Sequence, residues 1–278
     1  MCKLLEVSRS GYYAWQKREE RPRARENRRL LAEIREIHEE SRRTYGAPRV
    51  HAELVTRGRR VGRNRVARLM AVDGLRPRRR RRFRPKTTDS AHSLPVAENL
   101  LGAHEGTTGL DQVWVADITY IPTGEGWLYL ASILDLHSRR VVGWSMQDNL
   151  RVGLPLSALD MAFKGRQPEA GLIHHSDRGS QYAAKAYRAL LEEQGAVQSM
   201  SRKGNCYDNA VKESFFHTLK TELVHLQRYR TREEARASVF EWIEVFYNRR
   251  RLHSALGYRT PLGFEDSLAN QSPERVAA

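Results

Sequence analysis

The chain has 278 residues and a formal net charge of +15 at pH 7, and no apolar run approaches the roughly 20 residues that a membrane-spanning helix needs. Two cysteines, Cys2 and Cys206, are too few for a disulfide framework, and no Cys-x-x-Cys pair is present to hold a structural zinc. Together with an N-terminus that lacks a secretion signal, these features predict a soluble protein of a reducing, intracellular compartment.

The positive charge is concentrated in the first third of the chain. Residues 1–90 contain 27 Lys and Arg against 11 Asp and Glu, whereas the remaining 188 residues contain 21 against 22. Such a distribution predicts a basic arm attached to a near-neutral domain, and basic arms attract polyanions through phosphate contacts and counterion release. Charge alone leaves DNA, RNA or a merely solvated surface open. It favours nucleic acid over a membrane, because no strong amphipathic anchor accompanies the arginines.

The first helical elements are predicted within residues 1–75. Residues 1–25 are assigned to a helical extension, and residues 26–75 to a helix-turn-helix-like DNA-binding domain. In this domain the segments TYGAPRVHAELVTRG and VGRNRVARLMAVDGL predict two short helices around a Gly-containing turn, the second of which would enter a major groove. The outward-facing basic residues predicted to contact DNA are Arg63, Arg65 and Arg68. An ordinary three-helix bundle with a basic face is equally compatible with this pattern.

Residues 76–110 are predicted to be a basic linker. It begins with RPRRRRRFRPK, and a run of arginines broken by prolines cannot form a core and repels itself. We expect this segment to lie along phosphates, with Arg78, Arg79 and Arg80 as DNA contacts.

A mixed α/β sheet is predicted from Val113 onward. VWVADITYIPT, WLYLASILDL and RVVGWSM predict three antiparallel strands joined by short turns. A helix over residues 152–164, a buried strand at GLIHHSD, a helix over residues 181–194 and a strand at AVQSM follow. A long helix after RKGNCYDN and a last helix over roughly residues 231–248 complete the pattern.

Three acidic residues stand out in this core. Asp117 interrupts a strand, Asp177 ends the apolar run LIHHSD, and Glu213 lies on the long helix away from its apolar stripe. A carboxylate within or at the end of a central strand is costly to bury unless it is paired or bound to metal. Each acid also has an ordinary explanation, as a solvated strand residue, a turn cap at residues 178–180 or a surface helix residue.

The spacing of these acids resembles a known signature. Between Asp177 and Glu213 lie 35 residues, and Lys220 follows Glu213 by seven. This resembles the D,D(35)E triad and trailing basic residue of the transposase and retroviral-integrase superfamily. The segments DQVWVADITYI, IHHSDRGSQY, SRKGNCYDNAVKESFFHTLK and YNRRRLHSALGYRTP resemble the second reading frame, OrfB, of insertion-sequence-3 family transposases. The likeness covers nearly the whole chain.

The resemblance implies an RNase H-like integrase catalytic core over residues 111–228, with a C-terminal helix and tail over residues 229–278 packing on it. It implies metal-dependent cleavage and strand transfer of DNA at insertion-sequence ends. Asp117 would bridge two divalent cations, Mg²⁺ or alternatively Mn²⁺, and Asp177 and Glu213 would each complete one site. The implied partners are double-stranded DNA, an OrfA-type protein or frameshift fusion and further copies of the chain, in the bacterial cytoplasm at the nucleoid.

Other residues are assigned supporting roles. Lys220 is expected to contact phosphate, and Arg202 and Lys203 are expected to lie in a mobile loop that grips target DNA, although a solvated loop explains them equally well. Asp208 or Asn209 is expected to cap the long helix. His174 and His175 are interpreted as strand residues rather than zinc ligands, and Asp135 as a turn residue. The segment YNRRRLHSALGY is expected to pack its aromatic side chains on the core and to present residues 249–251 to DNA.

Two other functions remain compatible with the sequence. The first is a non-catalytic regulator, which would retain DNA affinity and either depend on OrfA for activity or inhibit transposition on its own. Another RNase H-like nuclease would cleave RNA–DNA hybrids or four-way junctions, although the basic arm and the 35-residue spacing argue against it.

Overall fold

The structure is a computed structural model that describes residues 6–16, 20–77, 95–101, 106–201 and 210–271. The chain divides into two compact units, Met1–Arg78 and Arg79–Ala278. Within the described residues, every helix is too short or too polar to cross a lipid bilayer.

The first unit is helical. Its elements are α1 (Arg9–Gln16), α2 (Pro22–Glu40), α3 (Ala47–Thr56) and α4 (Arg63–Val72). The apolar stripes of α2, α3 and α4 face one another, and Ile34, Val50, Leu54 and Val66 are fully buried. The two short helices predicted from the sequence are thus confirmed as α3 and α4, and α2 begins at Pro22, because proline is well suited to a first helical turn.

The turn between α3 and α4 is held by one arginine. Gly58 in this turn has φ +79°, a left-handed conformation that favours glycine. Beside it, the Arg57 guanidinium donates to Glu36 at 3.0 Å on α2 and to Glu53 at 3.2 Å on α3. These contacts fix α3 against α2 where the chain reverses, so that α4 packs across both.

The second unit is built on a five-stranded mixed sheet in the order β3-β2-β1-β4-β5. The strands are β1 (Val113–Thr123), β2 (Gly126–Asp135), β3 (Val141–Gln147), β4 (Ile173–Ser176) and β5 (Val197–Met200). β1, β2 and β3 form the predicted antiparallel meander, whereas β4 pairs in parallel with β1, and β5 with β4. The predicted mixed α/β fold is therefore confirmed.

Helices cover both faces of this sheet. They are α5 (Gly153–Arg166), α6 (Ser180–Ala183), α7 (Lys185–Glu193), α8 (Ala210–Glu222) and α9 (Arg232–Glu241). Because strand residues alternate, Val113 and Val115 pack toward α8 and α9, whereas Trp114 and Ala116 pack toward α5 and α7. Gly143 permits the close approach of α5 to β3, since a Cβ there would lie 2.2 Å from the Ala158 carbonyl oxygen.

The helix predicted over roughly residues 231–248 is confirmed, and the chain after it contains a further helix. α9 is capped by Thr231, whose hydroxyl accepts the Glu234 N–H at 3.1 Å, and the chain continues as a π-helix over Trp242–Tyr247. A further helix, α10 (Pro261–Gln271), was not predicted. Its Glu265 carboxylate accepts hydrogen bonds from Arg140 at 2.6 Å and from Arg166 at 2.8 Å. Ion pairs therefore hold α10 in place. The sequence has no apolar periodicity from which this helix could have been predicted.

Part of the predicted linker contacts the sheet. The Leu100 N–H donates to Ser199 Oγ at 2.9 Å, and the Met200 N–H donates to the Glu98 carbonyl at 3.3 Å. Residues 95–101 therefore lie along β5 and shield this edge of the sheet.

Candidate active site

Strand register brings Asp117 and Asp177 together. β1 and β4 are parallel neighbours in which Val115 pairs with His175. Asp117 lies two residues beyond this pair on β1, and Asp177 follows directly after the end of β4. The two carboxylates are close enough for the charge of Asp177 to raise the pKa of Asp117. Neighbouring strands are about 4.8 Å apart. Two acids that are 60 residues apart in the chain are thus adjacent in space.

The pKa of Asp117 depends on its burial and on the charged groups around it. Burial raises its pKa, and the neighbouring Asp177 charge raises it further. The Ile118 N–H, which donates to Asp117 Oδ1 at 2.7 Å, and the nearby Lys212 ammonium act in the opposite direction. Glu213 adds a smaller repulsion. Two other acids and one lysine therefore influence the pKa of Asp117.

Asp177 is oriented by the turn that follows it. Its Oδ1 accepts the Gly179 N–H at 2.9 Å, which is the turn-capping contact considered in the sequence. The adjacent Arg178 donates from Nε to the Ser201 carbonyl at 2.7 Å. The turn and the arginine together fix the carboxyl end of β4 next to the end of β5.

Glu213 lies in the first turn of α8, on its exposed side. The opposite side of the helix packs Phe215, Phe216 and Leu219 into the core between α8 and the sheet. Among the residues that the structure describes, no three His, Cys, Asp or Glu side chains converge closely enough to hold one metal ion. The acids instead interact pairwise, Asp177 strongly and Glu213 more weakly with Asp117.

Lys212 is fully buried beside these acids. It was not predicted to belong to the site. Its Nζ donates to Ser132 Oγ at 2.7 Å, and Ser132 pairs directly with Asp117 across β1 and β2. Burial lowers the pKa of Lys212, and the Asp117 charge opposes that shift. The sequence signal was present, because Lys212 stands three and four residues before Phe215 and Phe216 in the buried stripe of α8.

Lys220 lies two turns further along α8 and is half-buried. Burial lowers the pKa of its ammonium, and the Asp117 charge again opposes the shift. The trailing lysine predicted from spacing is therefore on the side of the helix that faces the acids.

The predicted DNA contacts are only partly described. Arg63 and Arg68 are exposed on α4. Arg65, in contrast, donates to Asn27 Oδ1 at 2.7 Å and to Glu26 at 2.9 Å on α2, so DNA would have to compete with these partners. The remaining predicted contacts lie outside the described residues, as do the predicted caps; they are Arg78, Arg79, Arg80, Arg202, Lys203, Asp208 and Asn209.

The histidines before Asp177 are buried strand residues, as predicted. Tyr187 Oη lies 3.0 Å from His174 Nε2, and burial lowers the pKa of His174 to about 3. His175 lies between two serine hydroxyls, with Ser199 Oγ 2.9 Å from Nδ1 and Ser201 Oγ 3.0 Å from Nε2. Both rings thus join β4 to neighbouring elements.

Two further expectations have different outcomes. Asp135 has the predicted turn role, because its carboxylate accepts the N–H groups of His137 at 3.0 Å and Ser138 at 2.7 Å. The expectation that residues 249–251 are all presented to DNA is wrong for Arg251, which is buried and donates to Glu222 at 2.7 and 2.9 Å. A guanidinium fits there because a buried carboxylate partner compensates its charge.

Comparison with known proteins decides the family. Residues 25–83 match the HTH-like domain, and residues 108–206 and 194–261 match integrase core domains. The insertion element IS600 uncharacterized 31 kDa protein of Shigella sonnei is 49% identical over 96% of this chain and 97% of its own length. Transposase InsF for insertion sequence IS3A of Escherichia coli (strain K12) is 43% identical, over 96% of this chain and 93% of its own. The chain belongs to the insertion-sequence-3 family of transposases.

Solved structures show a weaker likeness to this transposase. The catalytic core domain of BIV integrase is 19% identical and covers 58% of this chain and 98% of its own, with a TM-score of 0.43. The catalytic core domain of HTLV-2 integrase, solved in complex with magnesium, is 14% identical and covers 56% of this chain and 96% of its own, also with a TM-score of 0.43. The RNase H-like fold of the transposase follows from its strand order and family. Its activity is polynucleotidyl transfer in DNA transposition.

Proposed function

We propose that Asp117, Asp177 and Glu213 are the catalytic acids of this transposase and hold two divalent cations. The observation that supports the proposal is the position of the acids: Asp117 lies on β1, and Asp177 follows directly after β4, the parallel neighbour of β1. Burial and the charge of Asp177 accordingly raise the pKa of Asp117. Half-buried like charges side by side are costly unless a cation joins them. Such a cost is expected at a site that is completed by metal.

The donor set fits Mg²⁺, with Mn²⁺ as an alternative, because both prefer carboxylate oxygen and keep positions open for phosphate. Asp117, Asp177 and Glu213 would together hold the two ions. When bound, the ions supply the charge for in-line displacement at phosphorus, favouring both the attacking and the departing oxygen.

The protein residues of the site would bind and orient the DNA. Asp117 and Asp177 are fixed by strand register and by the Ile118 and Gly179 N–H groups. Lys220 would hold a phosphate of the element end against the acids. The same acids would serve cleavage at the end of the element and then attack by the freed 3′-hydroxyl on target DNA, without a covalent protein intermediate.

The remaining assignments extend this proposal. Residues 26–75 would read the element end through α4, with Arg63, Arg65 and Arg68 facing DNA. The basic segment carrying Arg78, Arg79 and Arg80 would follow phosphates, and Arg202 and Lys203 would grip target DNA. We further propose that an OrfA-type partner, or fusion to it, and association of several copies assemble the active complex on DNA at the nucleoid.

The test is cleavage and strand transfer with labelled element ends in Mg²⁺, with and without the OrfA-type protein. Glu213→Gln is expected to reduce cleavage by at least about 1000-fold, because a neutral amide cannot offset the charge of a divalent ion. DNA binding should persist, since the proposed role of Glu213 is to hold a cation rather than to bind phosphate. A gel-shift assay at matched protein concentrations measures this.

The matched control is Glu193→Gln, which makes the same change at an exposed position on α7 and should leave cleavage unchanged. Comparable nicking by Glu213→Gln and wild type would overturn the proposed role. RNA–DNA hybrids and four-way junctions form the other substrate arms, and preferential cleavage of either would favour a different nuclease.

A further inference from the structure

Lys212 is an unusual residue in the core of this transposase. It is fully buried, and its Nζ lies 4.7 Å from the Phe215 ring centroid and 5.0 Å from that of Phe216. Among the described residues, Ser132 Oγ is its hydrogen-bond acceptor. Burying an ammonium is costly, and a single hydroxyl offsets only part of that cost.

Packing alone does not explain a lysine at this position. The neighbours of Lys212 on the buried side of α8 are Phe215, Phe216 and Leu219. A methionine has nearly the same length, fills such an apolar space and has no charge to desolvate. The charge of Lys212 therefore needs an explanation that lies outside the core.

The acid site provides that explanation. Ser132, the acceptor of the Lys212 ammonium, is the direct partner of Asp117 across β1 and β2. Side chains of directly opposed residues on one face of a sheet have Cβ atoms about 5 Å apart. The hydrogen bond to Ser132 thus holds the ammonium beside the Asp117 carboxylate, on the face that α8 covers.

We propose that Lys212 is a resident counter-ion of the acid site, and that its positive charge weakens the binding of divalent cations before DNA arrives. The Lys212 ammonium would place a positive charge next to the acids from inside the protein. A bound DNA phosphate would bring negative charge to the site and favour cation binding. Lys212 would thereby make metal loading depend on the substrate. This inference rests on the proposed metal role of Asp117, Asp177 and Glu213.

The test is Mn²⁺ binding to the full-length protein without DNA, measured as free Mn²⁺ by electron paramagnetic resonance. Lys212→Met removes both the charge and the hydrogen bond. Lys212→Gln removes the charge but keeps an N–H donor for Ser132. Both variants are expected to bind Mn²⁺ at least about fivefold more tightly than wild type, because a like charge close to the ion has been removed.

The matched control is Lys164→Met, which makes the same change at an exposed lysine paired with Asp160 on α5 and should bind Mn²⁺ as wild type does. Thermal unfolding of each variant identifies a protein that has not folded; if Lys212→Met fails this check, Lys212→Gln decides. Unchanged or weaker Mn²⁺ binding by the folded Lys212 variants overturns the inference.

An Asp117→Asn variant separates this inference from the proposed function. If wild type and Asp117→Asn bind Mn²⁺ equally, the acids do not hold the ion and both proposals fail. If Asp117→Asn abolishes binding while the Lys212 variants match wild type, the metal site stands and the role of Lys212 is refuted.

Discussion

The helical unit (Met1–Arg78) and the catalytic unit (Arg79–Ala278), which carries the mixed sheet, differ in where they pair charged side chains. In the helical unit, arginines pair with acids at the surface, as Arg59 does with Glu33 and Arg43 with Glu39. In the catalytic unit, charged groups are taken into the interior, as in the pair of Arg251 with Glu222, where the side chains are 6% and 9% exposed. Exposed pairs contribute little to stability and exchange readily for phosphate, whereas buried charges must keep their partners.

This difference fits the roles proposed for the two units. A surface that binds DNA through counterion release needs cations that water can reach, and its affinity then depends on salt. A site that positions phosphorus chemistry needs fixed charges in a protected environment, where electrostatic interactions are stronger. The comparison therefore predicts that removing a buried charge from the catalytic unit lowers its stability strongly. Removing an exposed charge from the helical unit should lower stability only slightly.

The largest stability effect is expected at the buried pair between α8 and the segment after the π-helix. Arg251→Met should destabilise the protein by about 3–5 kcal/mol, because Glu222 is left buried without its partner. Chemical denaturation of the full-length protein measures this.

Two variants sharpen the result. Arg251→Met combined with Glu222→Leu removes both charges and should recover most of the lost stability. Arg43→Met breaks an exposed pair on the helical unit and should have a much smaller effect. An equally large loss from Arg43→Met would break the comparison between the units.

An intermediate effect, on DNA affinity, is expected when charges are removed from the basic segment that carries Arg78, Arg79 and Arg80. Replacing Arg78, Arg79 and Arg80 with alanine should weaken DNA binding by about 10- to 100-fold near 150 mM salt. It should also reduce the slope of log K against log salt by about 0.9 for each phosphate that the protein no longer neutralises. Fluorescence anisotropy over a salt series measures both quantities.

The control removes the same number of charges elsewhere. Lys164, Lys185 and Arg228 are exposed in the catalytic unit, and their triple alanine variant should keep nearly the wild-type slope. If the two triple variants give the same slope, net charge rather than the basic segment determines DNA affinity.

The smallest effect concerns pH and His174. Burial lowers the pKa of His174 from 6.5 to about 3, so the folded state holds the neutral ring. Its contribution to stability is fully present above pH 6.5 and is lost as the pH falls toward 3, by about 1.4 kcal/mol per pH unit within that window.

His174→Gln should therefore lose less stability than wild type between pH 7 and pH 5.5, by about 1 kcal/mol. Denaturation curves at the two pH values give the difference. Identical pH dependence in both proteins would show that His174 does not carry this linkage.

Much of the catalytic unit was predictable because its strands and acids follow local rules. Alternation in β1 and the apolar run of β4 identified two strands, and the same pattern placed Asp117 within the first and Asp177 directly after the second. The pattern could not predict that the two acids are adjacent, because adjacency depends on which strands pair and in which register. That part of the prediction came from the family resemblance.

The parts that were missed depend on contacts between distant segments. Glu265 of α10 forms ion pairs with Arg140 and Arg166, which lie 125 and 99 residues earlier in the sequence. Lys212 was overlooked because a lysine on a helix usually faces water. Arg251 was assigned to DNA for the same reason. In each case burial, rather than residue type, determines the role.

The central claim is that Asp117, Asp177 and Glu213 together hold divalent cations, and anomalous diffraction tests it most directly. Crystals of the full-length transposase bound to an element end would be soaked in Mn²⁺, and the anomalous peaks located. We expect one peak between Asp117 and Asp177 and a second between Asp117 and Glu213, each roughly 2–2.5 Å from carboxylate oxygen. Well-occupied Mn²⁺ bound elsewhere, with none in contact with Asp117, would contradict the claim.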